Sequence, residues 1–186
     1  MKRVAFVTTF LVVLLSSTSA FGASTLRHDL LSARQVPHWA KYYIAAAQTA
    51  SCPESTFRKP TTRSAVREVL VQRSSKTLLL ERVGTSDDPS AAYNALLAHM
   101  TKCPKTSSTL DGHVTFQRTR SVNLGKFTVP VNAYTLSAVV GNANVTGVVA
   151  YAKKGRFTVA LAELSLEPLT KKPFTALLSK ALAKIP

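Results

Sequence analysis

The chain has 186 residues, with 24 Lys and Arg against nine Asp and Glu for a formal net charge of +15, four His, two Cys and 46% hydrophobic residues. That length suits one domain, and the hydrophobic share with only 18% charged residues excludes both a disordered polycation and a multi-span membrane protein. Nine scattered carboxylates and four histidines leave little material for acid–base pairs or metal cages, which sets most hydrolase and metalloenzyme chemistries aside.

Residues 1–22 read as a secretory signal peptide. Lys2 and Arg3 give a basic start, residues 4–15 an apolar stretch broken only by Thr8 and Thr9, and residues 16–20 a tail of small side chains ending in Ala20. The apolar run is about a dozen residues, short of the roughly 20 that a bilayer-spanning helix needs. Cleavage after Ala20 and cleavage after Gly22 both satisfy the small-residue rule, and no Cys follows the run to accept a lipid. The expected product is a secreted, extracellular protein with one domain over residues 24–186.

Residues 30–36 suggest a short helix stopped by Pro37, and residues 39–44 fit either a strand or a continuing helix. Residues 51–64, with Pro53, Pro60 and no apolar period, read as a loop. Two apolar runs, 66–73 and 77–83, flank Ser74-Ser75-Lys76 and predict a hairpin. A helix follows, with Asp88 as N-cap, Pro89 at its first position, and Ala92, Tyr93, Leu96, Leu97 and Met100 on one stripe. Residues 114–120 and 134–140 read as strands, and Gly141-Asn142-Ala143-Asn144 as a turn. A second hairpin, 145–152 and 156–164 around Lys153-Lys154-Gly155, leads through Glu167-Pro168 into a helix striped with Phe174, Leu177, Leu178, Ala181 and Ile185.

Pro89 and Ala95-Leu96-Leu97 in the first stretch match Pro168 and Ala176-Leu177-Leu178 in the second, about eighty residues apart. Each stretch is strand, strand, helix, and each helix has one apolar face to bury on a sheet. The predicted fold class is α+β: a single antiparallel β-sheet with amphipathic helices packed on it, two ββα-like units and one disulfide.

Export makes the cysteines informative. Cys52 and Cys103 are the only two thiols and would meet an oxidising compartment, with no CxxC to suggest redox or metal chemistry. A bond closing a loop of about fifty residues stabilises a fold by roughly 4 kcal/mol in the chain-entropy model.

No arrangement of reactive side chains stands out. His28, His38, His99 and His113 show no ligand spacing, no serine sits in a G-x-S-x-G elbow, and no G-x-G loop is present. The chain is read as non-enzymatic, with no cofactor or metal. Positive charge is the strongest chemical signal that remains. Without Lys2 and Arg3 the excess over the carboxylates is about 13, enough to attract anionic polymers or lipid head groups over long range. The basic residues gather at Arg58-Lys59 with Arg63 and Arg67, at Arg118 and Arg120 with Lys126, at Lys153, Lys154 and Arg156, and at Lys171-Lys172. Arg118, Arg120, Lys153, Lys154 and Arg156 are the candidate anion-binding residues. An exported protein has little occasion to meet nucleic acid and the RNP-type aromatic motif is missing, so a ligand for this charge is expected to be an anionic cell-envelope polymer or lipid head group; the other reading of the same residues is that turns and helix starts are simply solvated and the charge serves solubility. The alternative function is protein binding, as a secreted inhibitor or host-interaction protein.

The order Leu30-Leu31-Ser32-Ala33-x-Gln35-Val36-Pro37-x-Trp39, a Cys a dozen residues later, a hairpin, an Ala-rich helix ending in Lys102-Cys103-Pro104, then Leu124-Gly125 and a closing hairpin and helix resembles the extracellular sensor domain of PknH-type receptor kinases. The resemblance spans nearly all of the mature chain. It implies an antiparallel sheet covered by helices, stabilised by disulfide bonding, with a non-catalytic extracytoplasmic role in sensing or binding a ligand. There are departures. This chain carries one cysteine pair where the kinase domain has more, no kinase domain, no spanning segment after the signal, and His38 where the family has glycine before the tryptophan. Only Cys52 and Cys103 carry over as matched residues. If they are bonded, thiol titration of the unfolded, unreduced mature protein finds no free thiol; two reactive thiols would refute the pairing.

Overall fold

Segments 77–83 and 157–164 carry apolar side chains at consecutive as well as alternate positions, as strands do when both faces are covered. The computed structural model, which describes residues 26–41, 62–72, 74–102, 105–109, 113–140 and 143–186, places these two segments side by side at the centre of one sheet. The chain runs through β1 (Ala40–Lys41), β2 (Thr62–Gln72), β3 (Thr77–Ser86), α1 (Pro89–Lys102), β4 (Lys105–Thr109), β5 (His113–Ser121), β6 (Val131–Val140), β7 (Ala143–Lys154), β8 (Phe157–Ser165) and α2 (Lys171–Lys184). The eight strands lie in the order β1-β2-β3-β8-β7-β6-β5-β4, with every pairing antiparallel. The fold is α+β, and β2-β3-α1 and β7-β8-α2 are its two ββα units, joined where β3 pairs with β8.

The helices cover opposite faces. On one face Phe174, Leu178, Ala181, Leu182 and Ile185 from the α2 region pack with Leu79, Val83, Val148, Ala150, Val159 and Leu161. On the other, Tyr93 of α1, with Leu96 and Leu97, packs with Leu78, Leu80, Val149, Tyr151, Ala162 and Leu164. Apolar stripes reveal that a helix has a face to bury, and not which side of the sheet receives it. Each fully buried side chain of this size contributes about 1.5–3 kcal/mol, so both layers are strongly anchored.

Residues 26–36 form a strap across the α2 face and not the helix expected at 30–36; the helical turn here is a 3-10 turn at Arg27–Asp29. Leu26, Leu30, Leu31 and Val36 are all buried in the α2-side core. The Leu31 N–H donates to Glu81 Oε2 at 2.6 Å, and the Ser32 N–H to Gln35 Oε1 at 3.0 Å. Leu30 has extended backbone, with φ −84° and ψ 148°, and ends the 3-10 turn where the expected helix would begin. Pro37 and His38 then turn the chain, with Trp39 N–H donating to the Val36 carbonyl at 3.3 Å. His38 has φ 70°, in the left-handed region that favours glycine.

Strand β1 supports the extended option for part of 39–44, while the remainder of that stretch, residues 51–61 of the expected loop, Cys52, Cys103 and the signal segment lie outside the described residues. Strand β4 was not anticipated, because Lys-Thr-Ser-Ser-Thr has no apolar member to give a period. At α1 the expected cap is present: the Ala91 N–H donates to Asp88 Oδ1 at 2.8 Å. The matching of Pro168 to Pro89 does not extend to helix geometry, since α2 starts at Lys171. No described helix is long and apolar enough to cross a membrane.

Gly155 opens the two-residue turn between Lys154 and Phe157 with φ 54°, the pattern of a II′ hairpin. Gly147 serves a different purpose. A Cβ there would lie 2.5 Å from Leu164 Cδ2 and 2.7 Å from the Glu163 carbonyl oxygen, so β7 and β8 can approach only without one. Gly147→Ala should therefore lower stability by about 1–3 kcal/mol in chemical denaturation. An unchanged midpoint would show that the neighbours yield freely.

Candidate functional site

The five candidate anion-binding residues do not form one cluster. Arg118 opposes Leu136 and Arg120 opposes Thr135, with a register shift between them. Thr135 in turn opposes Val148 on β7. Lys153 lies five residues farther along that strand, so the backbones of Arg120 and Lys153 are roughly 20 Å apart. Neighbouring residues on a strand point to opposite faces, and the contacts of Lys153 and Lys154 follow that rule. Lys153 Nζ donates to Ser90 Oγ, in the first turn of α1, at 2.9 Å. Lys154 Nζ donates to the Leu182 carbonyl at 3.2 Å and to the Ile185 carbonyl. An ammonium at the end of α2 satisfies carbonyls that the helix leaves open and complements its dipole, which gives Lys154 a structural role. Arg156 is exposed and stands over the Phe157 ring, 5.3 Å from its centroid.

Two polar groupings inside the sheet layers were not singled out from the sequence. On the α2 face, Glu81 opposes Leu161 and Glu163 opposes Leu79, which makes the two carboxyl groups diagonal neighbours across the central strand pair. They are 2% and 6% exposed. Glu81 accepts the strap amide of Leu31, whereas Glu163 Oε2 has no hydrogen-bond partner. Burial pushes the Glu163 carboxyl up to about 7. Beyond Glu163 the same face turns polar, where Thr77 Oγ1 donates to Ser165 Oγ at 3.4 Å and Ser165 Oγ accepts the Glu167 N–H at 3.0 Å.

On the α1 face, Arg82 opposes Ala160, Ala160 opposes Tyr151, and Tyr151 opposes Asn132. Asn132 Nδ2 donates to Tyr93 Oη at 2.7 Å, and Tyr93 Oη donates to the Tyr151 carbonyl at 3.4 Å. The Tyr151 hydroxyl is buried without a hydrogen-bond partner. Burial pushes its phenol well above the usual range, reinforced by Tyr134 and opposed by Arg82. Burial likewise lowers the Arg82 guanidinium, which Tyr151 partly offsets. The Tyr93 phenol is raised by burial, against the hydrogen bond from Asn132. These phenols stay protonated at neutral pH, so the cluster offers hydrogen bonds and not a nucleophile.

A sequence signal for both groupings existed. Glu81-Arg82 interrupts the apolar run between Leu80 and Val83, and Glu163 stands between Ala162 and Leu164. A charged residue inside a strand with no polar face is a buried one. Among the described residues no group of three or more His, Cys, Asp and Glu could hold a metal ion.

No protein-family model matches the chain, and no curated protein matches it. Solved structures do. The crystal structure of the extracellular domain of PknH from Mycobacterium tuberculosis superposes with a TM-score of 0.61 at 10% identity, covering 90% of this chain and 98% of that domain. An uncharacterized protein from Mycobacterium smegmatis gives a TM-score of 0.45 at 10% identity, covering 91% of this chain and 98% of its own. The fold is therefore that of the PknH extracellular domain.

Glu163 generates a prediction of sign as well as size. Its folded state keeps a proton up to about pH 7, while the unfolded chain releases it near 4.5. Between those values the native state binds more protons, so this residue's contribution is full below pH 4.5 and declines as pH rises towards 7. The loss should be about 2–3 kcal/mol at most. Glu163→Gln should remove that component: the stability difference between wild type and variant, measured by urea unfolding from pH 4 to 8, should shift in favour of the variant as pH rises. A difference that stays constant would contradict the assignment.

Proposed function

We propose that the chain is a secreted, non-enzymatic sensor-type domain of the cell envelope that binds an anionic polymer or lipid surface. The observation that carries this reading is the fold shared with almost the whole of the PknH extracellular domain. The charge supports the second half of it. Of nine carboxylates, Glu81 and Glu163 are buried in the sheet, which leaves the surface more cationic than the composition alone implies. Arg120 and Arg156 are exposed, and Lys153 is half-buried beside α1, so these remain available to an anion at separate places on the surface.

Long-range attraction of this kind is screened by salt, with a Debye length near 10 Å at 0.1 M that shrinks to about 3 Å at 1 M. The mature protein should bind anionic vesicles or anionic wall polymer at 0.1 M salt and lose about tenfold or more in affinity by 0.5 M. Retention that ignores salt, or no retention at all, would overturn the reading.

A further inference from the structure

Charge is divided unequally between the two helical layers. Helix α1 contains one lysine and is preceded by Asp87 and Asp88, with Asp88 capping its first turn. Helix α2 contains Lys171, Lys172, Lys180 and Lys184 and no acidic residue. Lys171 and Lys172 occupy the first turn, where a cation opposes the helix dipole, and the N-cap Thr170 makes no side-chain capping bond. In the free protein that arrangement is electrostatically unfavourable. An external layer of anions would relieve it.

The surroundings extend the same sign. The strap runs beside α2, held there by Lys184 Nζ, which donates to the Leu30 carbonyl and to Gln35 Oε1 at 3.0 Å. It presents Arg27 and Arg34 to solvent. The loop after β5, whose Leu124 is buried in the α2-side core with Val122, Phe127 and Val129 packed against it, presents Lys126. Between the lysines the exposed positions of α2 are Pro173, Ala176, Ser179 and Ala183, all small. Lys172 and Lys180 are about 12 Å apart along the helix axis. Phe174, Leu178 and Leu182 are buried against the sheet and Leu177 partly so, which leaves the outer surface of α2 to its lysines and small side chains and suits contact with head groups at the level of the bilayer surface.

We propose that this face, built by α2 with Arg27, Arg34 and Lys126, docks peripherally on an anionic lipid bilayer through its head groups. The inference rests on the anion-binding reading above and assigns it a location and a partner. A Lys or Arg near an anionic membrane surface contributes about fivefold in binding, equivalent to about 1 kcal/mol. Lys171→Gln, Lys172→Gln and Lys180→Gln together should therefore weaken binding to vesicles of 30% phosphatidylglycerol in phosphatidylcholine by about 100-fold at 0.1 M salt. Removing cations from the helix start does not weaken the helix, and thermal unfolding of the variant should confirm an intact fold.

The control carries the same charge change elsewhere: Ala91→Glu, Asn94→Glu and Lys76→Gln, all at exposed positions off the α2 layer. It should stay within a few-fold of wild type. Equal loss in both variants, or none in the lysine variant, would overturn the α2 face as the docking surface. Wild type that ignores the vesicles yet binds soluble anionic wall polymer would overturn the membrane as partner and leave the broader reading standing. Binding to neither would overturn both.

Discussion

The pairing of β3 with β8 is the constraint on which the architecture depends. It joins the two ββα units in one sheet, and both strands are buried along nearly their whole length. A strand covered on both sides needs a layer above and a layer below. The chain supplies α1 on one side, and α2 with the strap on the other. The strap is thus part of the core, contributing four buried apolar side chains and one amide to Glu81.

Much of this was legible in the residues. The hairpins, both helices, the Asp88 cap and the two related units follow from period, turn residues and capping chemistry. What escaped has physical reasons. An amphipathic stripe carries no information about sheet face, so Phe174 and Tyr93 could not be assigned to opposite layers. Leu30, Leu31 and Val36 look helical by spacing, but here a short irregular segment brings all of them to one surface. The strand at residues 105–109 pairs with β5 at the edge of the sheet, and polar composition conceals it. Glu81 and Glu163 were counted with the charged residues when their apolar neighbours already placed them inside.

The strand period also explains why adjacent basic residues perform different tasks. Lys153 and Lys154 are consecutive, yet one reaches α1 and the other closes the end of α2. Linear clustering of charge therefore overstates spatial clustering in a sheet protein. On a helix lying over a sheet the opposite holds: the core-facing stripe excludes lysines, and those of α2 gather on what remains.

The central pairing has a kinetic side. The residues of β3 and those of β8 are about eighty positions apart, so the sheet cannot be completed until the last hairpin of the chain has been delivered. Until then the first unit presents an apolar strand with an open edge, a template for association with any other nascent copy. Assembly of this protein is thus gated by arrival of its own C-terminal quarter, and a chain shortened before β8 would be left sticky and not merely less stable.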